Sequence, residues 1–298
     1  MDDADTVLDE AIDLIADPED QAETGVRHLS PSSAGAFEQC PQRWRFRYLD
    51  RLPDPPGEAA LAGTFAHRVL EVLLQLPPDE RTPEQAKAIA RTEWPDMAAH
   101  HEFVDLDLDE RGSRRFRWVA WSAIEGLWAL EDPRRVEVQA TEQKVDATLG
   151  DVPFRGIVDR LDVEADGVVV TDYKSGRVPR PRYRKGRLAQ VLLYAAAVRE
   201  TLGEAPSRAR LLYLGQRNVE TVVDEQNLAE VIDQLSGTWA DLQQACATDQ
   251  FETRTGPLCA WCPYLEQCPA GLGEVTARHE RGAVRLDAPG LAVLPDAS

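Results

Sequence analysis

The chain has 298 residues, 43% of them apolar, enough for one large buried core, although the length also permits two smaller domains. Its formal charge of -19 argues as a sum against a polyanionic partner, but local charge decides where a phosphate backbone can lie. No apolar run approaches bilayer length, and the opening Met1-Asp2-Asp3-Ala4-Asp5 lacks the basic and apolar stretches of a secretion signal, so a cytoplasmic protein without membrane association is expected.

Residues 1–26 hold ten acids and no Lys or Arg, so this segment supplies -10 and leaves -9 for the rest. Val7, Leu8, Ala11, Ile12 and Ile15 share a helical spacing, but the charge density favours an acidic disordered tail over 1–27. Such a tail either keeps the chain soluble or competes with phosphate for a basic surface. From Leu29 to Leu52, Ser/Pro cap signals and the spacing of Phe37, Trp44 and Tyr48 predict a helix or two short ones. A Pro-rich loop at 53–57 precedes helical patterns at 63–76 and 114–130. Beyond about Val136 three strand-like runs follow, separated by Gly-Asp and Ala-Asp-Gly turn signals, and predict a meander. A helix over roughly 187–202, one or two further strands and a helix over about 227–247 complete the body, here expected as one domain over 28–278, with 279–298 as a loose C-terminal tail. There is no internal repeat and no phosphate-binding loop of the motor type.

Asp159, in Gly-Ile-Val-Asp-Arg-Leu-Asp, and Asp172, in Val-Val-Val-Thr-Asp-Tyr-Lys-Ser-Gly, fall on two successive strands, where their carboxylates can meet. Asp172 and Lys174 are two apart on one strand and so project to the same side. A divalent cation relieves the repulsion between close carboxylates and polarises a phosphate. The lysine then has a use in orienting or activating water, or in stabilising charge on the pentavalent phosphorus. Taken alone, Asp-Tyr-Lys-Ser-Gly reads more readily as a strand end leading into a turn. Residues 174–187 carry seven Lys and Arg and no acid, a candidate track for a phosphate backbone, with Trp44 and Tyr183 as aromatics able to stack bases.

Five cysteines in a reducing compartment point to thiols or metal ligands. Cys259, Cys262 and Cys268 form C-x2-C-x5-C, and Cys40 stands far upstream. Four thiolates suit a [4Fe-4S] cluster or a tetrahedral zinc, and spacing does not separate the two. Cys246 lies in a helical pattern and reads as a small buried hydrophobe.

Taken in order, residues 29–48, Gly63–Glu71, Gly156–Asp162, Asp172–Gly176, Gln190–Tyr194 and Cys259–Cys268 resemble the RecB-like nucleases of the PD-(D/E)XK superfamily, a group that includes nuclease domains of bacterial helicase-nucleases and CRISPR-associated adaptation nucleases. The resemblance implies an α/β fold with a restriction-endonuclease-like core, a central mixed sheet flanked by helices, and a helical N-terminal part. It also implies His67, Asp159, Asp172 and the Tyr173 carbonyl as metal ligands, Lys174 as catalytic, and Gln190 with Tyr194 as groups that order the site or the DNA. Many relatives carry Glu where this chain has the shorter Asp172. Mixed oxygen and imidazole ligation suits Mg2+ or Mn2+, with Glu71 and Glu142 as outer candidates. The Cys-Pro pairs at Cys40 and Cys268 resemble the iron-sulfur subgroup, which favours [4Fe-4S] over zinc. The expected function is a metal-dependent exonuclease on single-stranded DNA ends in repair or recombination, working alone or beside a separate helicase. The alternative is a non-catalytic DNA-binding or scaffold subunit of a helicase-containing repair complex.

Overall fold

The computed structural model describes residues 26–203 and 205–294. The acidic stretch 1–25, expected to be a disordered tail, lies outside the described residues, as do the last four. The first helices are α1 (Pro31–Gln39), α2 (Pro41–Tyr48), α3 (Glu58–Gln75), α4 (Pro83–Ala99), the single turn α5 (His101–Val104) and α6 (Glu110–Glu125). Strands β1 (Glu137–Leu149), β2 (Val152–Glu164) and β3 (Gly167–Lys174) follow, then α7 (Arg184–Leu202), β4 (Arg208–Tyr213), β5 (Arg217–Val222), α8 (Glu225–Thr248) and α9 (Pro269–Glu280). The described residues group into two compact units, one of 55–234 and one of 26–54 with 235–294.

The first unit is built on a five-stranded sheet in the order β1-β2-β3-β4-β5. The expected meander is present, since β1 pairs with β2 and β2 with β3, both antiparallel. Strand β4 lies parallel to β3, a pairing that needs a crossover, and α7 supplies it. The result is the mixed sheet flanked by helices that the resemblance implied. Helix α3 buries Leu61, Phe65, Val69, Leu70 and Leu73, the 3.6-residue stripe legible in the sequence, against a core that includes Phe116 and Ile124 of α6 and Tyr173 of β3. Helix α4 has no counterpart among the expected elements. It starts on a Thr82 cap that accepts from the Gln85 N–H and carries Pro95 in its interior, a breaker that obscures its pattern.

In the second unit, α1 and α2 are two helices because Pro41 follows Cys40: the residue before a proline is driven out of the helical region, while proline itself suits a first helical position. Ser30 and Ser33 cap α1 reciprocally. Trp44, considered above as a base-stacking surface, is instead a core residue with 1% exposure, stacked on Tyr48 and Phe251 and edge-on to Phe37. Part of the expected loose C-terminal tail is also packed. Ala288 and Leu291 join Ala260, Leu265 and Val275 in a small apolar cluster, and a Cβ on Gly290 would stand 2.8 Å from the Ala260 carbonyl oxygen.

Candidate functional site

The last register pair between β2 and β3 is Arg160 with Thr171. Just beyond it, the Asp159 carboxylate takes the place of a main-chain acceptor and receives the Tyr173 N–H at 2.7 Å. Asp159 also stands 3.5 Å from the Nδ1 of His67, which α3 presents. On β3, Asp172 is 3% exposed and Lys174 Nζ lies 2.7 Å from its Oδ2, the same-side pairing expected from their spacing. Gln190 of α7 donates to Asp172 Oδ1 at 3.2 Å. Tyr194, one turn further along α7, is buried beside Gln190, within the field of Asp172 and Asp159. The chain therefore draws His67, Asp159, Asp172, Lys174, Gln190 and Tyr194 to one place. Two glycines make room there: a Cβ on Gly156 would come 2.6 Å from the Tyr194 ring, and one on Gly63 would come 2.8 Å from Ser175 Oγ.

Glu142, only an outer candidate from sequence, belongs to the same group. The register of β1 with β2 sets it across from Asp159, and its φ of 46° puts a non-glycine residue in the left-handed region inside a strand. Such a conformation costs on the order of 1–3 kcal/mol and persists only where surrounding contacts enforce it. Burial pushes the Glu142 carboxyl up to about 8, and Asp159, Glu71 and Asp172 push in the same direction. Burial likewise pushes Asp172 up to about 6, with Asp159 adding to the shift and Lys174 opposing it. For Lys174, burial acts to lower the pKa, but Asp172 and Asp159 outweigh it and hold the ammonium charged. Glu71, the other outer candidate, stands close enough to add to the Glu142 shift and is itself paired with Arg68 at 2.9 Å, which also reaches Glu93 at 2.9 Å.

These shifts give a sign for the pH dependence of stability. Both carboxyls are easier to protonate in the folded chain than at their ordinary values of 4.5 and 3.8. The stability they contribute is complete below those ordinary values and is lost as pH rises through about 6 for Asp172 and about 8 for Glu142. The metal-free protein is expected to lose stability on the order of a few kcal/mol between pH 5 and pH 9. Glu142→Gln should remove the loss between about pH 6 and 8, and its own share of the loss below that. Thermal unfolding across that range, with a chelator, checks this; parallel wild-type and variant curves contradict it.

The four cysteines expected as ligands, Cys40, Cys259, Cys262 and Cys268, line one cavity in the second unit, with Arg43, Phe46 and Leu265 around them. Cys40 precedes α2 and Cys268 caps α9, its Sγ accepting from the Gly271 N–H at 3.3 Å. Cys259 Sγ accepts from the Gly256 N–H at 3.4 Å. Cys246 lies on α8, half-buried, and is not among the residues lining that cavity. Among the described residues no group of three or more His, Cys, Asp or Glu side chains is gathered as a ready metal cage. The donor chemistry nonetheless fits two different groups: crowded carboxylates beside an imidazole suit a hard divalent cation, and four thiols around one cavity suit a thiophilic metal or cluster. No described helix is long and apolar enough to cross a membrane.

The family model of the PD-(D/E)XK nuclease superfamily matches residues 28–269. No curated protein matches the sequence. Among solved structures, a protein named Putative exonuclease from Eubacterium rectale is similar in fold, with 14% identity and a TM-score of 0.53, over 81% of this chain and 88% of the other. A second, SSO0001, is 12% identical with a TM-score of 0.36 over 89% of this chain and 97% of the other.

Proposed function

Because the chain belongs to the PD-(D/E)XK nuclease superfamily, we propose that it is a metal-dependent deoxyribonuclease acting as an exonuclease on single-stranded DNA ends. The observation that carries this reading is the convergence of Asp159, Asp172 and Lys174 where β2 and β3 part, with His67, Gln190 and Tyr194 drawn in from two helices. Asp159, Asp172, His67 and the Tyr173 carbonyl would hold Mg2+ or Mn2+, and Glu142 adds a further carboxylate. When bound, such a cation supplies Lewis-acid polarisation of the scissile phosphate. Lys174, held charged by Asp172, is suited to stabilising the charge that develops on the phosphoryl oxygens. Gln190, through its bond to Asp172 Oδ1, fixes the orientation of that carboxylate.

The segment joining β3 to α7 supports a DNA substrate. Residues 174–187 carry seven cations, and Arg177, Arg180, Arg182 and Arg187 are exposed. Tyr183 is 55% exposed with the Arg182 guanidinium 4.7 Å over its ring, a surface on which a base can stack. This run starts at the catalytic lysine itself, so a backbone lying on it is led to the acids. We assign the four-cysteine cavity to a structural [4Fe-4S] cluster, with zinc as the alternative ligand, and place the protein in DNA repair or recombination, with a separate helicase supplying single strands. A scaffold role without cleavage is the competing reading, and the complete set of acid, acid and lysine speaks against it.

End-labelled single- and double-stranded DNA incubated with purified protein and Mn2+, Mg2+ or chelator provides the test. Cation-dependent shortening of the single strand from its end is expected. Tight DNA binding with no cleavage under either cation would replace this reading with the scaffold one.

A further inference from the structure

Residues in a strand alternate sides, so Arg160 and Tyr173 point away from the sides taken by their neighbours Asp159, Asp172 and Lys174. On that other side they meet. Arg160 is fully buried and donates from Nη1 to the Tyr173 hydroxyl at 2.9 Å and to Glu131 Oε1 at 2.6 Å, and from Nη2 to Glu131 Oε2 at 3.1 Å. Its Nε stands 2.7 Å from Asp162 Oδ1, and the other oxygen of Asp162 accepts from Thr171 at 2.9 Å. Glu131 comes from the loop before β1, and Arg81 holds that loop through the Pro133 and Val136 carbonyls at 3.2 and 2.8 Å.

Burying this many charges is a poor way to gain stability, since an apolar cluster of the same volume does as well or better. What the network does fix is position. Strand β3 is bonded to β4 as far as Lys174, but its register with β2 ends at Thr171. Over its last residues, the ones that carry the acid and the lysine, β3 is tied to β2 by side chains. Tyr173 is gripped twice, by Asp159 at its N–H and by Arg160 at its hydroxyl.

We infer that Arg160, neutralised by Glu131 and Asp162, is a positioning residue that acts through the Tyr173 hydroxyl to set the spacing of Asp159 and Asp172. The inference rests on the nuclease reading, in which those two acids share a cation. Loss of an outer partner that orients a ligand typically costs about 10–100-fold in metal affinity or activity.

Tyr173→Phe is the cleanest probe, because it deletes one hydroxyl and keeps both the ring and the main-chain carbonyl; Arg160→Lys, which keeps the charge but not the two-pronged grip, is the second. Mn2+ affinity is measured by calorimetry without DNA, and kcat and KM on a labelled single strand, alongside circular dichroism and thermal unfolding. The expected result for Tyr173→Phe is a folded protein with Mn2+ affinity and kcat each reduced about 10–100-fold and KM for DNA within about twofold of wild type. A Tyr173→Phe protein with wild-type Mn2+ affinity and kcat, whatever its melting temperature, overturns the inference and leaves the nuclease reading intact. A wild-type protein that neither binds Mn2+ nor cleaves overturns the nuclease reading, and the inference with it.

Discussion

Asp172→Ala and Lys174→Ala are each expected to lower DNA cleavage by about a hundred- to a thousandfold, in line with the loss of a group that stabilises transition-state charge. The two should differ in stability. Asp172 is held folded against its own preference, since burial and Asp159 make its ionised form costly. Replacing it removes that cost, so Asp172→Ala should unfold at the wild-type temperature or above it in metal-free buffer. Lys174 lies 2.7 Å from Asp172 and is the cation that offsets this crowding. Its removal leaves a buried carboxylate without its cation, so Lys174→Ala should unfold at a lower temperature near pH 8 and recover as the pH falls and Asp172 is protonated, at a pH above the wild-type value of about 6 because Lys174 no longer lowers it. Single-turnover rates with Mn2+, beside melting curves at both pH values, test both halves. Wild-type rates in both variants would remove these residues from the active centre.

Losing any one of Cys40, Cys259, Cys262 or Cys268 is expected to have the largest effect on stability. These four thiols join segments more than two hundred residues apart in sequence around one cavity. A metal that binds only the folded arrangement contributes its binding energy to folding, on the order of 10 kcal/mol for a structural zinc. Anaerobically purified protein should be brown, with iron and sulfide by analysis. Substituting any of the four with alanine should discharge the colour and lower the unfolding temperature, and Cys246→Ser should keep both. Stoichiometric zinc without iron would replace the cluster while leaving the four-cysteine lock in place. Unchanged stability in all four variants, with no bound metal, would remove the lock itself.

The sequence by itself determined those features that depend on neighbours along the chain. The stripe of α3, the three strands after Val136, the same-side placement of Asp172 and Lys174, and the basic run beginning at Lys174 are consequences of periods of 3.6 and 2 and of local composition. The ordered motifs supplied His67, Gln190 and Tyr194 by resemblance and the cysteine spacing supplied the four thiols, and the chain folds so that the first three stand beside the acids and the cysteines share a cavity. Only the tertiary structure decided between Trp44 and Tyr183, two aromatics near arginines, of which one is sealed under Phe251 and the other lies open to solvent. Only it raised Glu142 from an outer candidate to a member of the acid group, because that depends on which residue of β2 lies across from β1 and on a backbone angle no local rule asks of a glutamate. The tie from Glu131 through Arg160 to Tyr173 is of the same kind: Asp162 stands beside Arg160 on its own strand, but the fold has to bring Glu131 and the Tyr173 hydroxyl to the buried guanidinium from separate segments, and that convergence is a property of packing, not of any short stretch of sequence.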